Sequence, residues 1–465
     1  MATAEPGGQC DDKRPEDSNP TREIRKNDAT FTERFAALYN NERLSDIVLR
    51  VGDDRYHAHK FMLIVSSDVF SIMLGESRWR EGGQSEVELT EEPPCVPVFP
   101  DFLKYIYTGS VTLTTDTVLP ILLLADKYSI QTLGQTCVDY MLQHVVETPD
   151  TNRTLSWYHY AKVTMNTVLI DKCRIFILTN VDIIMKTTDW MHLSQDELTD
   201  LISSNQVIVN DEFYLWEKVE QWLTSDLRES TLADDLQEVI PHIRFTMIPP
   251  KHLLSVEGSR LYQEHTAAFS GKLNAAYRHH SLALDNVGGA CSTEKFRNYM
   301  DDMYGISTAI TIKGYRNVEH MDSKISKRMT VPFAFVPSGH TARNENQAEF
   351  RVEFWPMGAY KTFSWYGSLT DDARLSLQIL NKKKESVIVS LTFIVYGEKN
   401  GARYVSFAYS TKHTFSAKNS IFVEDNLLPL KELKDEKSAH LINGNLEARI
   451  FVKVENIVPP EENTK

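Results

Sequence analysis

Apolar and polar residues alternate with a two-residue period from Ser45 to Val51 and again from Asp53 to His59, and Gly52 and Asp53 between them suit a hairpin. An apolar run at helical spacing, Lys60–Leu74, follows, and a short strand-like stretch, Glu86–Leu89, lies beyond a polar gap. A strand, a hairpin and a helix in this order predict the start of an α+β module. Ahead of it Phe31, Phe35, Leu38 and Tyr39 recur at helical spacing behind Asp28 and Thr30, which suit a cap, so one amphipathic helix should lead the first strand. Apolar spacing over Val118–Lys127 and Ile130–His144 predicts the closing helices. Pro149 and Asp150 then break the pattern, which puts the module's end near residue 146.

From Thr151 to about Glu257 the chain reads as helices separated by polar turns. Leu193, Leu198, Leu201 and Ile202 form one apolar face, and Glu212, Phe213, Trp216, Val219 and Trp222 form the next. Residues 258–296 turn more polar and read as a helix and a linker. His279 and His280 lie there, but adjacent residues point apart and no third ligand is near, so a solvated pair is expected in place of a metal site. From about 303 to 456 short alternating segments appear, among them Thr308–Ile312, Phe350–Phe354, Arg374–Ile379, Val387–Val395, Arg403–Ala408 and Leu446–Val454. Turn residues separate them, and the pattern predicts a β-sandwich.

With 465 residues the chain calls for about three domains. Its formal net charge of −14 opposes a nucleic-acid or anionic-membrane partner, because phosphate binding needs clustered Lys and Arg. Residues 1–30 are too polar to offset the entropy of ordering and are expected to be a disordered tail. They lack the apolar run of a secretory signal, so a cytoplasmic protein with access to the nucleus is expected. Five scattered cysteines form neither a disulfide framework nor a CxxC knuckle, and no phosphate loop, GxSxG or HExxH motif occurs. The expectation is a non-enzyme without cofactor or metal.

Particular residues carry family resemblances. Asp46, His57, Ala58, His59, Lys60, Ser66, Ser67 and Phe70, followed by Tyr105, Tyr107, Thr108 and Gly109 and by LLLADKYSIQTL, closely resemble the BTB/POZ family. LSQDELTDLISSNQVIVNDEFYLWEKVEQWL and VIPHIRFTMIPPKHLLSV resemble the BACK domain that follows BTB in many adaptors. FRVEFWPMG, ARLSLQIL, SIFVEDNLLPL and AHLINGNLEARIFVKV resemble the TRAF/MATH sandwich. The resemblances imply a multidomain chain: a tail (1–30), an α+β BTB/POZ domain (31–146), an all-α BACK domain (150–257), a helix and linker (258–296) and an all-β TRAF-like sandwich (297–458).

They also imply a dimeric, substrate-recruiting adaptor of a cullin-3 ubiquitin ligase, with a BTB scaffold or transcription-associated protein that dimerises without cullin-3 as the alternative. The leading-helix residues Phe31, Phe35 and Leu38, together with Asp46, His59 and Lys60, are the dimer-interface residues this implies. In the loop GESRWREGGQ, Trp79 and Glu81 fit the hydrophobic-x-Glu pattern of cullin-3 adaptors, and Tyr128 joins them as a cullin contact. The sandwich is expected to recruit an unknown target protein. Its family's aromatic peptide pocket is not carried over, because Gln378 stands where a substrate-binding relative has an aromatic.

Overall fold

The computed structural model describes residues 28–75, 84–145, 152–282, 294–318, 324–333, 335, 347–359, 370–381 and 385–458. They form two compact units, one drawn from Met1–Thr112 and Pro120–Gly134, the other from Leu113–Leu119 and Gln135–Lys465. Residues 1–27, most of the expected tail, lie outside the described residues.

In the first unit α1 (Asp28–Ala36) precedes β1 (Ile47–Val51) and β2 (Asp54–Ala58), which pair antiparallel across Gly52. Gly52 has φ +58, a left-handed conformation that glycine adopts without a Cβ penalty. Next come α2 (Lys60–Ser66), α3 (Asp68–Gly75) and β3 (Glu86–Leu89), the last parallel to β1, then α4 (Phe99–Thr108) and nearly all of α5 (Val118–Lys127), while α6 (Gln131–Gln143) starts in this unit and belongs from Gln135 onward to the second. The single helix expected over Lys60–Leu74 is two. Ser67 sits between them in extended backbone, its hydroxyl accepting the Phe70 N–H at 3.0 Å and donating to the Tyr128 carbonyl at 2.5 Å. An N-capping serine starts a new helix where apolar periodicity alone runs on.

The second unit begins with the helices α7 (Thr154–Val163), α8 (Thr167–Thr179), α9 (Val181–Ile184) and α10 (Gln195–Ser203). After the two-residue strand β4 (Ile208–Val209) come α11 (Glu212–Leu223), α12 (Leu232–Val239), α13 (Pro250–Glu257), α14 (Arg260–Glu264) and α15 (Thr266–Leu282). Local chemistry sets the starts. Ser194 and Glu197 form a capping box on α10, and the Asp211 carboxylate accepts the Tyr214 N–H at the head of α11. The strands β5 (Asn298–Tyr299), β6 (Ser307–Ile312), β7 (Ile325–Pro332), β8 (Gln347–Trp355), β9 (Asp372–Ile379), β10 (Ser386–Lys399), β11 (Ala402–Phe415) and β12 (Ile421–Pro429) follow, then α16 (Leu430–Lys434) and β13 (Leu446–Val458). They build two antiparallel four-stranded sheets, ordered β11-β10-β13-β6 and β12-β9-β8-β7, in addition to a parallel β4–β5 pair.

Strand β7 was not anticipated. Lys327 stands between exposed Ser326 and Arg328 where the alternation would put an apolar residue, its ammonium donating to the Ala309 carbonyl on β6, so only Met329 and Val331 keep the buried parity. The expected solvated histidine pair is also corrected, because His279 and His280 are buried. As adjacent residues must, they point apart. His279 Nε2 meets the Phe335 carbonyl at 3.0 Å and His280 Nε2 the Ile248 carbonyl at 2.7 Å, so α15 ties the sandwich to the helices.

The sandwich sits on the helical domain through its β11-β10-β13-β6 sheet. Ile208 of β4 packs with Ile394, Val405 and Phe451, and the Asn180 side chain accepts the Val405 N–H at 2.6 Å. Beside this apolar patch Lys453 of β13 is only 2% exposed, its ammonium donating to the Asn205 carbonyl at 2.9 Å. Burial pushes its pKa down to about 7; Glu455 opposes that shift, and Arg244, Lys412 and Arg297 add to it.

The native state therefore releases the proton near pH 7 and the unfolded chain near its ordinary value of 10.5, so between these limits the unfolded state binds more protons. Stability should rise with pH across that window, by up to about 5 kcal/mol from this group alone. Denaturant titrations at pH 6.5 and 9 are expected to show the rise, and Lys453→Met to flatten it. An equal slope in both proteins would refute the assignment.

Candidate functional site

The expected interface residues meet around the start of α2. His59, at the N-cap position, offers no side-chain cap, and the acceptor comes from elsewhere: Asp46 Oδ1 takes the Lys60 N–H at 2.7 Å. His59 is buried. Its Nε2 lies 3.0 Å from the Arg43 carbonyl, which can only accept, so the ring proton sits there and Nδ1 accepts from the Tyr107 hydroxyl at 3.0 Å. The His59 N–H in turn donates to that hydroxyl. Within one subunit, then, His59 is part of a closed network, with Asp46 exposed and Lys60 half-buried at its edge. Phe35 and Leu38 are half-buried, α1 packs on α4, and the Tyr39 hydroxyl donates to the Pro100 carbonyl at 3.0 Å. Phe31 lies within α1, but its side chain is outside the described residues.

Sequence reading missed an exposed apolar face in this region. Phe61 and Val65 lie four residues apart on α2, so they share one face, and they are 66% and 69% exposed. Ile72 on α3 is exposed as well. Both helices are apolar nearly all round, and periodicity cannot tell the inward side from the outward one in such a run. A cleft of about 450 Å³ opens beside Val65, lined also by Ser66, Tyr105, Ile106, Gly109 and the Ser129–Thr132 turn. Large apolar side chains exposed together beside a cleft mark a surface for protein contact.

The residues expected to touch cullin-3 fare differently. Trp79 and Glu81 lie outside the described residues. Tyr128 is corrected: it is 2% exposed, its ring stacked on Phe70 at a centroid distance of 4.4 Å and its hydroxyl donating to Glu91 at 2.5 Å. Burial, reinforced by Glu91, holds its pKa well above the ordinary tyrosine value. A ring so enclosed offers no surface to a partner. It instead holds α3 and α4, through Phe70 and Phe102, in place.

On the sandwich the outward face of the β12-β9-β8-β7 sheet carries Gln378, half-buried between Arg351 of β8 and exposed Ile421 of β12 in register. Gly358, φ +82, turns the chain after β8. A Cβ there would meet the Thr370 carbonyl oxygen at 2.7 Å, so the WPMG turn requires glycine. Among the described residues no cluster of His, Cys, Asp or Glu is arranged to hold a metal ion, and no helix is long and apolar enough to cross a membrane.

Comparison with known proteins agrees with this organisation. The family model of the BTB/POZ domain matches residues 35–145, that of the BACK domain (BTB And C-terminal Kelch) residues 154–257, and that of the BTBD17 TRAF domain residues 294–462. BTB/POZ domain-containing protein 17 of Homo sapiens is 30% identical over 445 residues, which cover 90% of this chain and 87% of that protein. Galectin-3-binding protein of Mus musculus is 22% identical over 261 residues, 55% of this chain and 44% of that protein. The solved BTB domain of zebrafish PATZ1 shares 21% identity and covers 26% of this chain and 99% of that one, with a TM-score of 0.22.

Proposed function

Because the chain belongs to the BTB/POZ domain-containing protein 17 family, with BTB, BACK and TRAF-like domains in that order, we propose that it is a non-catalytic, dimeric adaptor that joins cullin-3 to a target protein in the cytoplasm. In this reading the BTB domain pairs with a second copy and holds cullin-3, and the sandwich holds the target for modification by other subunits. BTB and BACK domains in tandem are typical of cullin-3 adaptors. The observation that carries the reading is the outward apolar face of Phe61 and Val65 with the cleft that opens beside Val65, a surface suited to protein contact. Dimerisation would present two targets and two ligase arms together, raising avidity through effective concentration.

The cullin contact is assigned to Trp79 and Glu81, a large apolar anchor beside an orienting charge. Anchors of this kind are each worth about 2 kcal/mol or more. Purified chain is expected to capture the N-terminal region of cullin-3, and Trp79→Ala with Glu81→Ala to weaken capture by roughly a hundredfold or more. Undiminished capture by the double variant would refute the site. A dimer that never captures cullin-3 would favour the BTB scaffold.

A further inference from the structure

The stretch from Lys295 to Asp301 precedes the sandwich in sequence but completes the helical domain in space. Asn298 and Tyr299, as β5, pair parallel with Ile208 and Val209, and the N–H groups of Asn298, Met300 and Asp301 donate to the carbonyls of Val207, Val209 and Asn210 at 2.9–3.0 Å. This is strand addition onto a helical domain. The side chains are received as fully as the backbone.

Arg297 is completely buried, and each of its guanidinium N–H groups has an acceptor. Nε and Nη2 grip Glu212 at 2.8 and 3.2 Å, Nη2 also reaches the His242 carbonyl at 2.8 Å, and Nη1 meets the carbonyls of Ser204, at 2.8 Å, and Ile202. The Tyr299 hydroxyl donates to Glu212 Oε2, the oxygen that Arg297 Nε also holds, at 2.5 Å, the Asn298 amide donates to the Gln206 carbonyl at 3.1 Å, and Arg244 closes over the strand through the Lys295 carbonyl at 2.6 Å. Burial alone would raise the Glu212 pKa; the Arg297 guanidinium outweighs it and holds the carboxyl below its ordinary value. The carboxylate is thus kept charged at the base of a groove that matches one guanidinium.

We infer that the helical domain contains a peptide groove selective for an extended Arg-x-Tyr segment, and that residues 295–301 fill it in cis as the pin that fastens the sandwich to the helices. The groove explains an otherwise costly arrangement. Removing one partner of a buried pair leaves an uncompensated charge, so Glu212 discriminates against a segment that brings no guanidinium. The sandwich is consequently a fixed part of the second unit, presented at one angle whatever it binds.

The test uses the full chain with a specific protease site inserted within residues 283–293, upstream of the pin. After cleavage the two fragments should co-elute and dissociate slowly. Arg297→Met, which leaves Glu212 buried and unpaired, should weaken their association by roughly a hundredfold or more. Tyr299→Phe removes only one hydroxyl and preserves the packing; it should weaken association by roughly tenfold and decides the matter if the arginine variant does not fold. Fragments that separate with the natural pin in place, or that hold equally tightly without Arg297 and without the Tyr299 hydroxyl, would overturn the proposal.

Discussion

A chain ending at Glu257 is expected to lose the cooperative unfolding of its helical domain, although residues 154–257 are what the BACK model matches. The truncation removes Arg297 and Tyr299 from Glu212, which has no access to solvent. Six hydrogen bonds of Arg297 and Tyr299, buried or partly so, go with them, at about 0.5–1.5 kcal/mol apiece. It also removes α15, whose Phe269 packs edge-on against Trp216 at 5.6 Å and against Phe245 at 6.3 Å. Loss of a buried phenylalanine costs about another 3–5 kcal/mol.

Set beside a typical domain stability of about 5–15 kcal/mol, the two losses together exhaust most of what holds the domain. Circular dichroism in a denaturant series should show a broad transition for residues 1–257, and proteolysis should digest the helical domain while sparing the BTB domain. A sharp two-state transition for the truncated helical domain would contradict the account. One practical consequence follows: assigning target recruitment by cutting at the end of the BACK match would confuse loss of the sandwich with loss of the helical domain's fold.

Replacing Phe61 and Val65 of α2 by glutamate is expected to turn the proposed dimer into a monomer without unfolding it. Both side chains face solvent in the single chain, so the substitutions cost the fold little. In a twofold interface each residue occurs twice, so the pair of substitutions brings four acids into the contact. Burying a phenylalanine and a valine contributes about 1.5–3 kcal/mol apiece, so removing both from two subunits should weaken pairing by roughly a hundredfold at least. Light scattering at micromolar concentration, with a melting curve as the control for folding, reads the effect directly. A variant that remains dimeric with an unchanged melt would place the interface elsewhere.

Much of the fold was legible because its periods are clean. The alternation of Ile47, Leu49 and Val51 before Gly52 and of Tyr56 and Ala58 after it yields the hairpin, and the apolar faces of α10 and α11 lie where their spacing puts them. What escaped reading are residues whose partners are far away in sequence. Arg297 and Glu212 are 85 residues apart, and Lys453 and Asn205 are 248 apart. A charged residue between apolar neighbours reads as outward, yet β13 buries Lys453 on a face that the helical domain covers.

The same ignorance of what covers a face misjudged His279 and His280 and left the outward turn of Phe61 and Val65 unread. Periodicity identifies an apolar face. It does not say whether the chain itself, a second copy or another protein completes it.

The central claim is that two copies of this chain join cullin-3 through their BTB domains. Its most direct test is the mass of the complex formed when the purified full chain meets the N-terminal half of cullin-3, measured by light scattering during gel filtration. The account predicts a single species of two chains and two cullin-3 molecules that is lost with Trp79→Ala and Glu81→Ala. Separate elution of the dimer and cullin-3 at concentrations well above micromolar would contradict it.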